Sequence, residues 1–92
     1  MERLEIVIGG NRSLKGKRQV VLSLIRRIRS RFGNVSIAEV GSQNMWQRAT
    51  LGITLVSSET RVVNSVADQI LYFISNAPSV EIVEREREII HF

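Results

Sequence analysis

The sequence predicts a single α+β domain of order βαββαβ, with two helices on one face of a four-stranded antiparallel sheet. Three observations carry that prediction. Apolar residues recur at helical spacing in residues 13–32 and again in residues 58–77. Period-2 runs around Ile6 and Ile53 precede each of these stripes. Turn chemistry at Gly41-Ser42-Gln43-Asn44 separates one further strand pattern, residues 35–40, from the run around Ile53, as a hairpin requires.

The elements follow in order. Leu4, Ile6 and Ile8 alternate with Glu5 and Val7, and Gly9-Gly10 ends the run. Ser13 offers an N-cap to a helix whose stripe is Leu14, Val21, Leu24, Ile25, Ile28 and Phe32. Gly33-Asn34 is expected to stop it by taking the left-handed conformation. Val35, Ile37 and Val40 mark a second strand, and their broken period predicts a bulge near Ala38-Glu39. In the third strand Ala49, Leu51, Ile53 and Leu55 share one face, with Arg48, Thr50, Gly52, Thr54 and Val56 on the other. Ser57-Ser58 is expected to cap a second helix with the stripe Val63, Val66, Ala67, Ile70, Phe73 and Ile74. Pro78 ends it, and a final strand over residues 80–90 carries charges on both faces, as an edge strand does. Two βαβ halves around an antiparallel hairpin form the ferredoxin-like split arrangement, a fold that by itself decides no function.

Composition narrows the classes. An apolar share of 43% and a charged share of 24% describe a globular chain, and 92 residues suffice for one core but not two. With no Cys there is no disulfide framework, thiolate metal site or Cys nucleophile, which suits a reducing cytoplasm. No apolar run approaches the ~18 residues of a membrane span, and the start MERLEIVIGG is too short and acidic for a signal peptide. A cytoplasmic protein without membrane contact is expected.

Charge is the most informative feature. Eight of the thirteen Lys and Arg residues fall in residues 12–31, and no acid occurs between Ile6 and Ala38. An ordinary exposed helix mixes the signs for i,i+4 pairing, so this one points to an anionic partner. The net charge of +4 divides into +7 for residues 1–50 and −3 for residues 51–92. At about 100° per residue, Lys15, Arg18, Arg26 and Arg29 line one flank of the apolar stripe together with Leu22. Arg27 and Arg31 line the other flank beside Val20, and Lys17 points toward the stripe, where it must snorkel. Such rails suit backbone phosphates, and Arg12 at the helix start adds to them. Trp46 and Arg48 are placed by parity on the sheet face without helices, where an aromatic beside a guanidinium can stack a base or pack against a second copy. The nucleic-acid-binding candidates are therefore Arg12, Lys15, Arg18, Arg26, Arg29, Trp46 and Arg48.

Catalysis has little to work with, and no catalytic, cofactor-binding or metal-binding residue is assigned. The one histidine, His91, stands next to the C-terminus without a Cys or acid partner. Glu84, Glu86 and Glu88 alternate with Arg85 and Arg87, which reads as a charge-balanced edge rather than a metal site. Gly9-Gly10-Asn11-Arg12-Ser13 joins strand to helix as a phosphate loop does, but matches neither G-x-x-x-x-G-K-[ST] nor G-x-G-x-x-G.

The blocks SLKGKRQVVLSLIRRIRSRF, NVSIAEV and WQRATLGI, in that order, resemble the YlxP family of bacterial proteins, a group of unknown function. The resemblance covers essentially the whole chain. It implies a ferredoxin-like fold and, in many bacteria, a gene beside ribosome-maturation and translation-initiation genes, but no activity. Gly16 and Asn44 stand where the family usually carries acids, which makes the basic region more basic here. Two readings result. One is a non-enzymatic RNA-binding or ribosome-associated factor that uses its first helix. The other is a homodimeric interaction module, because Val7, Ala38, Val40, Trp46, Val56 and Val83 are expected on or near an uncovered sheet face.

Overall fold

The computed structural model describes residues 1–10, 13–42 and 44–89. The elements are β1 (Glu2–Ile8), α1 (Leu14–Arg31), β2 (Val35–Gly41), β3 (Arg48–Leu55), α2 (Thr60–Ser75) and β4 (Val80–Arg87). The strands lie in the order β2-β3-β1-β4, every neighbouring pair antiparallel. This is the ferredoxin-like α+β fold.

The alternation in β1 puts Leu4, Ile6 and Ile8 into one core with Ala49, Leu51 and Ile53 of β3. Val21, Leu24, Ile25 and Ile28 of α1 and Ile70, Leu71 and Ile74 of α2 close that core from the same side. With both helices packed on that side, the opposite face of the sheet is left open. Leu24 and Ile70 are 3% and 1% exposed, as the two stripes require.

Three boundaries differ from expectation. Gly33 and Asn34 do not turn left-handed; instead α1 ends at Phe32 in an extended conformation, φ −124° and ψ 91°. Phe32 is half-buried against the core, and that anchorage turns the chain before the glycine is needed. The N-cap of α2 is Glu59, without a side-chain cap bond, whereas Ser57 Oγ accepts from the Glu59 N–H at 3.2 Å and so organises the loop before the helix. β4 stops at Arg87, short of residue 90. The bulge expected near Ala38-Glu39 in β2 is present, with Val40 as the extra residue.

A second bulge, unforeseen, decides what the charged edge does. Ile82 pairs with Ile6 and Glu84 with Glu5, so Val83 is the extra residue. One inserted residue exchanges the faces of everything after it. Arg87 therefore turns to the helix side. Its Nε and Nη2 donate to both oxygens of Glu2 at 3.2 Å, Nη2 to Asp68 at 2.9 Å, and Nη1 to Asn64 Oδ1 at 3.1 Å. Glu2 is only 3% exposed. The Glu2 hydrogen bond, aided by Asp68, raises the Arg87 pKa above its ordinary value against the opposing pull of burial. Because the folded value is raised, the Arg87 proton contributes its stability below the free arginine value and is lost only under strongly alkaline conditions.

Two stability outcomes follow. Leu24→Ala costs about 2–5 kcal/mol in chemical denaturation, because the position is buried. Arg87→Leu leaves Glu2 buried without its fork and costs about 2–3 kcal/mol, somewhat below the usual range because the Arg87 side chain is 19% exposed. Glu2→Leu added to it recovers most of the loss; no recovery in the double variant rules this account out.

Candidate nucleic-acid interface

α1 is built to present cations. The Ser13 side chain accepts from the Gly16 N–H at 3.1 Å and fixes the helix start. Its first turn holds no acid, so Lys15 adds positive charge where the helix end already carries it. Such an end repels cations and attracts an anion.

Lys15, Arg18 and Arg26 are exposed along one flank, with Leu22 between them 48% exposed. Arg29 belongs to the same flank, but its Nη2 donates to the Ile37 carbonyl at 3.0 Å. It remains exposed, but that bond ties its guanidinium to the edge strand β2. Arg27 and Arg31 stand on the other flank and face α2, where the Arg31 guanidinium lies 5.6 Å from the Phe73 ring centroid. Arg12 and His91 lie outside the described residues.

Lys17 does not snorkel. It is 0% exposed, its ammonium 2.8 Å from Glu39 Oε2, and it donates to the Ser42 carbonyl at 2.7 Å. Glu39 shares the helix-facing side of β2 with Val35 and Ile37, so a charge partner waits inside for the lysine. Lys17 thereby ties the first turn of α1 to the β2–β3 connection.

The open sheet face differs from both expectations placed on it. Trp46 precedes β3 rather than belonging to it and is 48% exposed. Arg48 begins β3 with its Nε 3.6 Å from Glu5 Oε2. Thr50, only 1% exposed, donates to Glu5, and its hydroxyl lies 3.2 Å from that of Ser42. This polar chain crosses the middle of the face, so Trp46 and Arg48 form no shared strand platform there. Val40, Val56 and Val83 are exposed at 58%, 79% and 40%, yet Val7 is half-buried and Arg3, Glu5, Glu84 and Glu86 occupy the β1–β4 side. The face is mixed, not a bare apolar sheet.

In the glycine loop, residues 11 and 12 lie outside the described residues, but Gly9 is committed. The Gly9 N–H donates to the Ser79 carbonyl at 2.8 Å, so it is spent on holding β4 and not free for a phosphate. Among the described residues no group of three or more His, Cys, Asp or Glu could hold a metal ion. None of their helices is long and apolar enough to cross a membrane.

One feature escaped the sequence reading: a groove of about 610 Å3 between the helices, lined by Arg27, Arg31 and Phe32 on one side and Tyr72 and Phe73 on the other. Tyr72 stands off the apolar stripe of α2, and the two helix faces could be matched only once the crossing was known.

Fold and surface together define a small ferredoxin-like domain whose distinguishing part is one cationic helix. The chain belongs to the family described as Protein of unknown function (DUF503), which matches residues 1–87. It is 39% identical over 77 residues to the uncharacterized protein YlxP of Bacillus subtilis (strain 168), covering 84% of this chain and 83% of that protein. The resemblance read from the three sequence blocks is thus borne out.

Replacing Lys17 with Met removes the ammonium from Glu39 and from the Ser42 carbonyl. A loss of about 2–4 kcal/mol is expected, read as a lowered denaturation midpoint. An unchanged midpoint contradicts the structural role.

Proposed function

We propose that this domain is a non-enzymatic cytoplasmic RNA-binding factor, associated with the ribosome, that holds phosphates on the outer flank of α1. The observation that carries the reading is the row Lys15, Arg18 and Arg26, all exposed on a helix without an acid. Arg forks bind phosphate oxygens bidentately, and each contact releases counterions, so affinity depends steeply on salt. Such contacts position the domain without selecting a sequence. The gene setting implied by the family resemblance supports the ribosome as the source of the RNA.

A second reading, a homodimeric interaction module, is favoured by one observation. Val40, Met45 and Trp46 are all large, apolar and exposed at the β2–β3 end. Salt separates the two, because an apolar contact survives salt that dissolves a phosphate contact.

The reversal Arg18→Glu with Arg26→Glu tests the first reading without touching the core or the Arg29 anchor. Wild-type affinity for unrelated RNAs is expected to fall log-linearly with salt. The reversal weakens it at least about tenfold at about 50 mM salt. No binding by the wild type under those conditions, or unchanged binding by the double variant, removes the RNA reading. A salt-independent dimer in light scattering then leaves the interaction module.

A further inference from the structure

The groove between α1 and α2 gathers chemistry that phosphate contacts on the outer flank leave unused. Its volume of about 610 Å3 falls within the ~300–1,000 Å3 typical of small-ligand sites. The chain has only five aromatic residues, and three of them, Phe32, Tyr72 and Phe73, line this one groove. Tyr72 is 74% exposed, so a large ring stands in water at the groove wall. Arg27 and Arg31 face it from α1. The one carboxylate in the lining, Asp68, receives a bond from Arg87 at 2.9 Å that this guanidinium shares with Glu2, so Arg27 and Arg31 supply two cations against one partly offset acid. Phe32 shares the cationic wall and Arg31 lies over Phe73, which leaves Tyr72 as the open ring; cations and an open ring in one groove are the two components with which proteins hold single-stranded nucleic acid.

We propose that this groove takes an unpaired nucleotide of a single-stranded RNA, its base stacked on Tyr72 and its phosphates on Arg27 and Arg31. The proposal rests on the RNA-binding reading above and adds what that reading lacks, a preference for unpaired over paired RNA. Duplex phosphates reach Lys15, Arg18 and Arg26 on the outer flank, but a paired base stays in its stack and cannot enter the groove. Every base has a ring face, so the groove selects strandedness rather than sequence. The sheet face, where ferredoxin-like RNA binders usually stack bases, is here crossed by the Ser42–Thr50–Glu5–Arg48 chain. The stacking surface has moved to the helix side.

The test compares a labelled oligoadenylate of about twelve nucleotides with an RNA duplex of the same length by fluorescence anisotropy, at about 50 mM salt. The variants are Tyr72→Ala and Tyr72→Phe, both at an exposed position that leaves the core intact. Tyr72→Ala is expected to weaken oligoadenylate binding at least about fivefold, while duplex binding stays within about twofold. Tyr72→Phe keeps the ring and restores the affinity. Unchanged oligoadenylate binding by Tyr72→Ala overturns the groove assignment and leaves the outer-flank reading standing. Equal losses on oligoadenylate and duplex also overturn it, because selectivity for unpaired bases is its content. If the wild type binds neither RNA, both readings fall together. If Tyr72→Ala instead converts a wild-type dimer to a monomer in light scattering, the groove is a self-association surface and the nucleotide proposal falls.

Discussion

The structure depends on one burial: the stripe Val21, Leu24, Ile25 and Ile28 of α1 seated on the apolar side of the sheet. A helix carrying so much like charge has poor grounds to fold alone, since cations a turn apart repel and no acid offsets them. Packing supplies the missing stability, and in doing so fixes where each charge must go. Residues about a quarter-turn or more from the buried line are forced outward on either flank. The cationic surface is thus a by-product of the packing geometry, and any change that rotates α1 on the sheet redistributes its field.

Two ionic anchors hold the corners of this arrangement. Lys17 and Glu39 fasten the beginning of α1 to the far edge strand, and Arg87 with Glu2 fastens the other edge strand to β1 and α2. Both replace apolar packing at places where the two-helix layer runs out. Buried pairs of this kind add little net stability over an apolar substitute, but a misregistered strand cannot satisfy them. Their contribution is to select one register for β2 and one for β4.

Much of this was legible in the sequence because it depends on local periodicity. The two helices, the strand order along the chain, the Ser13 cap and the flanks of α1 follow from spacing alone. What was not legible depends on contacts across the chain. Nothing near Lys17 announces Glu39, twenty-two positions on, so an inward lysine read as one that must snorkel. The Val83 bulge changes the meaning of Arg87 from edge charge to interior anchor, and bulges leave no reliable mark in an alternating charged run. The same holds for the open face. Period 2 identified which residues share it, but not that Thr50 sinks beneath a line of hydrogen bonds, nor that Trp46 precedes the strand. The helix groove required knowing which sides of α1 and α2 meet.

The Arg29 hydrogen bond to the Ile37 carbonyl has a meaning beyond the fate of one candidate residue. β2 is an outermost strand, and its unpaired backbone is a template onto which a foreign strand can zip. With a guanidinium already seated on one of its carbonyls, an incoming strand must first evict a charged donor. At the opposite edge, the alternating charges and the kink at Val83 disfavour the same event. A chain this small is thereby discouraged at both sides from endless sheet extension, and stays a discrete particle rather than the seed of a fibre.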